Sequence, residues 1–218
     1  MSQLMLHDGP SMEVAPGAFW IPGWLGLDAQ RELVAASDEW VLPPAGIRRP
    51  RMRDGTPFNT RAVCLGWHWQ PYRYSATCDD NDGAPVKPFP DLLRRLGRTA
   101  CEDTGYQPVP FDAAIVNFYD VDSKLGLHQD NAEGEAITDG SPVVTVSLGD
   151  TCVFRFGNST TRTRPWNDVE LASGDLFVFG GPSRSAFHGV PKILGMTGPG
   201  DLGVEGRISV TLRVAGQR

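Results

Sequence analysis

The last strongly patterned stretch of the chain, RISVTLRV, alternates without a break. Ile208, Val210, Leu212 and Val214 fall on one face of an extended strand, and Arg207, Ser209, Thr211 and Arg213 on the other. An apolar face of this kind packs against a supporting layer and turns the two arginines toward an interior where unpaired charge is costly. Something anionic should meet them. Six residues separate the pair, about 20 Å at roughly 3.3 Å per residue, so they do not clamp one carboxylate together. Two carboxylates, or one ligand and an internal acid, satisfy them; a solvent-facing edge strand with partners such as Asp130 or Asp175 is the plainer alternative.

Similar β-type runs, AAIVNFY, VVTVSLG, CVFRFG and DLFVFGG, fill the chain from Ala113 onward, separated by Gly, Asp, Asn and Ser. They predict seven or eight strands in this half. Upstream the period changes. Leu33, Val34 and Trp40 lie at near-helical spacing after Asp28, read as a cap with Leu27 as a staple, and predict a helix over 29–40. Leu92, Leu93, Leu96 and Ala100 predict a second helix over 91–104, stopped by Gly105. Helices followed by consecutive strands, without βαβ alternation, point to a β-dominated α+β fold: an antiparallel sandwich or jelly roll with helices supporting one sheet. Residues 1–15 lack periodicity and read as a loose tail. The Arg-, Trp- and Pro-rich segment Pro43–Pro90 reads as irregular hairpins and loops over the core.

A length of 218 residues admits one domain or two small ones, and one domain over 16–218 is expected. Hydrophobic residues at 40% suffice for a substantial core, and 25 Gly with 18 Pro, spread without a period, favour short strands joined by turns. The N-terminus lacks the pattern of a signal peptide, and no apolar run approaches the roughly 18 residues of a membrane span. A cytoplasmic monomer without a membrane partner is expected. Cys64, Cys78, Cys101 and Cys152 stand far apart with no CxxC pair, so neither a zinc site nor a disulfide framework is signalled. The net charge of −6 argues against wholesale binding to phosphate backbones. Between Pro43 and Arg73, however, six arginines face a single acid, Asp54, so a local basic face is compatible with an acidic protein.

Two of the four histidines lie in the β half. In KLGLHQDN, the period of two sends His128 and Asp130 to one side and Gln129 to the other, offering an imidazole and a carboxylate to a common point. His188, in SAFHGV, completes two His and one carboxylate if a later strand of the same sheet brings it alongside, leaving positions open for substrate and dioxygen. Alone, His-x-Asp is a common tripeptide. Asn117 and Tyr119 share a strand face and can offer neutral hydrogen bonds to the ligand of the arginine strand, as can Thr145 and Ser147. His7 and His68 are not assigned to metal.

The ordered set NFY, LHQD, VSLG, FRFG, SGDLFVFGG, FHGV and R-x-S-x-T-x-R resembles the AlkB family of Fe(II)/2-oxoglutarate dioxygenases over about 112–214, with weaker similarity upstream through CLGWHW, YRYS and PVKPFPDLL. The resemblance implies a double-stranded β-helix (jelly roll) at about 112–215, carrying a nucleotide-recognition lid at about 43–80 and supported by N-terminal helices. It implies His128, Asp130 and His188 as iron ligands, with 2-oxoglutarate chelating that iron and O2 as oxidant. Arg207 is then placed on the distal carboxylate of 2-oxoglutarate and Arg213 near the iron-proximal end, with Asn117, Tyr119 and Ser209 assisting. The implied activity is oxidative dealkylation of bases of the 1-methyladenine and 3-methylcytosine type in single- or double-stranded DNA, with RNA as the nearest rival.

Trp67 matches the family's base-stacking position, opposite His188, and Tyr72, Gln129 and Glu133 are the other expected substrate contacts. Relatives often carry an acid two places after the metal aspartate, where this chain has Ala132, and some have Trp where this chain has Phe179; both positions bear on selectivity. A protein or small-molecule hydroxylase is the alternative within the same chemistry. A non-catalytic jelly-roll binding module is the alternative outside it.

Overall fold

The computed structural model describes residues 10–71, 73–132, 134 and 138–216. The first half holds β1 (Met12–Ala15), β2 (Ala18–Ile21), α1 (Leu27–Trp40), β3 (Arg61–Leu65), β4 (His68–Gln70), β5 (Arg73–Ser75) and α2 (Asp91–Asp103). The second holds β6 (Ala113–Tyr119), β7 (Leu125–His128), β8 (Val143–Gly149), β9 (Thr151–Phe156), β10 (Asn167–Leu171), β11 (Leu176–Phe179), β12 (His188–Leu194) and β13 (Arg207–Arg213). Seven strands form one sheet in the order β1-β2-β11-β8-β13-β6-β3, and four form a second in the order β10-β9-β12-β7. Each pairing between these strands is antiparallel. The result is a jelly roll, with β4 and β5 as a separate hairpin beside it.

Strand alternation sorts the large sheet into two faces. Ile208, Val210 and Leu212 of β13, Val144, Val146 and Leu148 of β8, and Ala114 and Val116 of β6 join one core with Leu33 of α1 and Leu93 and Leu96 of α2. Each such aliphatic side chain, once buried, contributes on the order of 1.5–3 kcal/mol. The opposite face turns toward the second sheet, where Phe154 and Phe156 of β9 meet Phe177 and Phe179 of β11. On that face β13 carries its two buried arginines, Arg207 and Arg213, one at each end of the strand.

Three local expectations are corrected. The helix predicted over 29–40 begins at Leu27 with Gly26 as its cap, while Asp28 lies in the first turn, where a negative charge suits the positive end of the helix dipole. Of the tail expected over 1–15, residues 1–9 lie outside the described residues, and Met12–Ala15 is a strand paired with Ala18–Ile21, which in turn pairs with β11. Within the segment expected to be irregular, Arg61–Leu65 is a regular strand of the large sheet, paired with β6 and buried from Ala62 to Leu65. A strand buried on both faces shows no alternation and is easily read as loop sequence. The second helix follows expectation, ending at Asp103. No helix among the described residues is long and apolar enough to cross a membrane.

Candidate active site

His128 ends β7 and His188 begins β12, and the two face each other directly in the register of the small sheet. Their rings lie 4.4 Å apart, centroid to centroid. This closeness depends on Gly189: a Cβ there would stand 2.6 Å from the main-chain oxygen of Leu125 and 2.9 Å from that of Gly126. Two residues beyond His128, Asp130 turns its carboxylate between the rings, with Oδ1 3.8 Å from His128 Nε2 and Oδ2 3.8 Å from His188 Nε2. The three ligand atoms all lie within 4.8 Å of one another.

Hydrogen bonding prepares these atoms for a metal. His128 Nδ1 donates to the Gly126 carbonyl at 2.9 Å, and His188 Nδ1 to that of Ala186 at 3.0 Å. A carbonyl only accepts, so each ring carries a proton on Nδ1 and leaves Nε2 to face the centre. Burial first, and the neighbouring His128 second, pull the His188 pKa down to about 4, so its imidazole is neutral at physiological pH. Burial pushes Asp130 up, but Arg213, then His188 and His128, outweigh it and hold the carboxyl well below the usual range. Two imidazole Nε2 atoms and one carboxylate on one side of an open site form the facial donor set that suits non-haem Fe(II).

Beyond the triad lies a cavity of about 300 Å³, lined in part by Asn117, Tyr119, Arg207, Ser209 and Arg213. Arg207 is only 1% exposed. Its Nε donates to Ser147 Oγ at 2.9 Å, and its guanidinium carbon sits 5.0 Å from the centre of the Tyr119 ring, but buried Nη1 has no hydrogen-bond partner. No described carboxylate forms an ion pair with it. A buried guanidinium without a counter-charge at a cavity wall fits a carboxylate ligand. Burial pushes the Tyr119 hydroxyl up to about 12 despite Arg207, so it stays protonated and able to donate.

Arg213, expected at the iron-proximal end of 2-oxoglutarate, is engaged with Asp130. Its Nη2 donates to Oδ1 at 2.8 Å and lies 2.8 Å from Oδ2. Trp67, expected to stack against the substrate, is not among the residues lining the cavity; like Trp69 and Ala132 it packs against the buried Tyr74, Ala113 and Ala215. Trp69 stands in the cavity wall instead, edge-on to Phe58 at 6.0 Å between ring centres. Gln129 also lines the cavity, with its amide donating to the carbonyls of Ser159 and Ser185. Tyr72 and Glu133 lie outside the described residues.

Sequence reasoning missed Arg184, a buried side chain whose Nη1 donates to the Asp130 main-chain oxygen at 2.9 Å. An arginine four residues before His188 was the one available signal, and it is weak. Arg162, at the cavity's edge, was likewise not singled out.

The family model described as the 2OG-Fe(II) oxygenase superfamily matches residues 17–213. An AlkB homolog of Caulobacter vibrioides, an alpha-ketoglutarate-dependent dioxygenase, is 37% identical over 94% of this chain and 90% of its own length. The chain belongs to the AlkB family. The AlkB of Escherichia coli is 35% identical over 71% of the chain and 69% of its own length. The solved structure of OsALKBH1 superposes with a TM-score of 0.86 at 31% identity, covering 94% of this chain and 99% of that one. An Arabidopsis thaliana relative, the DNA N(6)-methyladenine demethylase ALKBH1D, is 32% identical over 92% of this chain, which spans about 50% of that protein. Membership of the AlkB family carries a requirement for Fe(II), 2-oxoglutarate and O2, and the triad and the uncompensated Arg207 fit the first two.

Proposed function

We propose that this AlkB-family chain oxidatively removes alkyl groups from nucleic-acid bases, with lesions of the 1-methyladenine and 3-methylcytosine type in DNA as its substrates. The observation that carries the reading is the His128, Asp130 and His188 triad opening onto the same cavity as Trp69 and Phe58, which belong to or border the Arg-rich segment.

Bound at the triad, Fe(II) with 2-oxoglutarate and O2 supplies the oxidation of the N-alkyl carbon, with succinate and CO2 as the other products and the alkyl group lost as an aldehyde. The chain's own groups bind and orient. The two Nε2 atoms and the Asp130 carboxylate would hold the metal. Arg207 receives the distal carboxylate of 2-oxoglutarate, with Asn117, Tyr119 and Ser209 adding neutral contacts along the same wall. Arg213 and Arg184 fix the side chain and the main chain of Asp130, so the carboxylate does not swing when metal enters. Trp69 offers an aromatic face to an unstacked base, an interaction with a magnitude of about 1–3 kcal/mol.

Single-stranded DNA is the favoured form, because a base already out of a duplex carries a smaller unstacking cost. RNA dealkylation is the nearest competing reading. Incubating methylated DNA and RNA oligomers with Fe(II), ascorbate and 2-oxoglutarate, then weighing the products by mass spectrometry, tests the proposal. Loss of the methyl mass from DNA supports it, loss from RNA alone moves the substrate to RNA, and no loss from either removes the dealkylase reading.

A further inference from the structure

A second buried polar cluster lies beneath the β4–β5 hairpin, apart from the metal triad. Asp80 Oδ1 accepts from Arg48 Nε at 2.6 Å and bonds His68 Nε2 at 2.6 Å. Both partners are almost fully buried. The second nitrogen of the Arg48 fork, Nη2, donates to the main-chain oxygen of Trp69, and the Trp69 main-chain N–H donates to Cys64 Sγ at 3.4 Å. Arg48, from the approach to β3, and Cys64, from β3 itself, thus reach Trp69 directly, while Asp80, from the loop after β5, ties Arg48 to His68 at the start of β4.

The local electrostatics reinforce the contacts. Burial pushes the Cys64 thiol up, but His68 and Arg48 outweigh it and bring it below its ordinary value, which strengthens the sulfur as an acceptor. Burial also pulls His68 down, while Asp80 and Cys64 together raise it on balance. Asp80, pushed up by burial, is brought down to about 2 by His68 and Arg48.

Stability alone does not account for such a group, because a buried ion pair is often no better than apolar side chains of the same volume. A two-stranded hairpin, on the other hand, is marginal by itself in water, and both main-chain polar groups of Trp69 are satisfied here by side chains. We propose that Arg48, Cys64, His68 and Asp80 are positioning residues that hold Trp69 as a fixed wall for the incoming base. The inference rests on the dealkylase reading and deepens it. Fixing the ring before binding removes an ordering cost from the substrate complex and leaves the oxidation itself untouched.

The test uses Asp80→Asn, which keeps shape and removes the shared charge, and Arg48→Lys, which keeps charge but lacks a fork to reach Asp80 and the Trp69 carbonyl together. For each variant, succinate release is measured against the concentration of a methylated single-stranded oligonucleotide, and the Trp69 indole N–H resonance, assigned by its loss in Trp69→Phe, is recorded. The expected result is a KM raised by roughly tenfold with kcat within about twofold, and a shifted or broadened indole signal. Binding of 2-oxoglutarate to the Mn(II) form serves as the check on folding, and if Asp80→Asn does not fold, Arg48→Lys decides. An unchanged KM and an unchanged indole signal in a folded variant overturn the positioning role while lesion-dependent turnover by the wild type keeps the dealkylase reading. Equal losses in kcat and in 2-oxoglutarate binding mean general damage and also overturn it. A wild type without lesion-dependent turnover overturns both readings.

Discussion

The Arg213 guanidinium holds the Asp130 carboxylate: Nη2 lies 2.8 Å from each oxygen, and both residues are buried. They stand 83 residues apart in the chain, joined because β13 runs through the middle of the large sheet while Asp130 follows β7 of the small one. Arg213 therefore keeps this carboxylate ionised and oriented.

Removing that partner leaves a buried carboxylate without its nearest cation. Arg213→Met is expected to destabilise the metal-free protein by about 3–5 kcal/mol. Because a divalent cation restores positive charge at the same carboxylate, Mn(II) should recover more stability in the variant than it adds to the wild type. Urea unfolding with and without Mn(II) checks this, and an equal gain in both proteins contradicts it.

Arg207 faces the cavity with one nitrogen uncompensated. Arg207→Ala is expected to weaken 2-oxoglutarate binding to the Mn(II) form by at least roughly 30-fold, since truncating one member of a buried charge pair costs about 2 kcal/mol or more. Arg207→Lys should fall between, keeping charge but losing the fork. Calorimetric titration measures both, and unchanged affinity in the alanine variant places the cosubstrate elsewhere.

The two neighbouring tryptophans should separate by function. Trp69→Ala is expected to raise KM for a methylated oligonucleotide by roughly 5-fold to 150-fold, the range of one lost stacking contact. Trp67→Ala, which removes packing from the cluster with Tyr74 and Ala113, should lower the melting temperature with a smaller effect on KM. The reverse ranking would return the stacking role to Trp67.

The Asp80 cluster also predicts a pH dependence. His68 has a folded pKa above its ordinary 6.5, so its contribution is complete below 6.5 and is lost as pH rises through the folded value. Asp80 is lowered from 3.8 to about 2, so its contribution is complete above 3.8 and is lost as pH falls toward 2. The stability gap between wild type and His68→Gln is therefore expected to be widest between 3.8 and 6.5 and to narrow on the alkaline side. Thermal melts from 3.8 to well above 6.5 read it, and a gap that widens as pH rises past 6.5 contradicts the pairing.

Much of this arrangement was legible in the sequence where a period carried it. The alternation in RISVTLRV placed Ile208, Val210 and Leu212 against the helices and the arginines inside, and the structure agrees. His128 and Asp130 reach a common point as their spacing predicts, and His188 arrives on the adjacent strand. What remained hidden depends on contacts between distant segments. Whether Arg213 meets a ligand or Asp130 is decided by the crossing of two sheets, and the alternation of β13 is the same in either case. That Trp69 and not Trp67 lines the cavity follows from a three-residue strand too short to leave a period in the sequence. Arg61–Leu65 was hidden for another reason, since burial from Ala62 to Leu65 erases the period that would reveal a strand.

The most direct measurement of the central claim is succinate release on adding a 1-methyladenine oligonucleotide to the Fe(II) protein, wild type against His128→Ala, with circular dichroism confirming that both are folded. The expected result is release that depends on the lesion in the wild type and falls to background in the variant. Lesion-dependent release that survives the loss of His128 would contradict the metal assignment, and a folded, iron-loaded wild type that releases no succinate in response to the lesion would contradict the function.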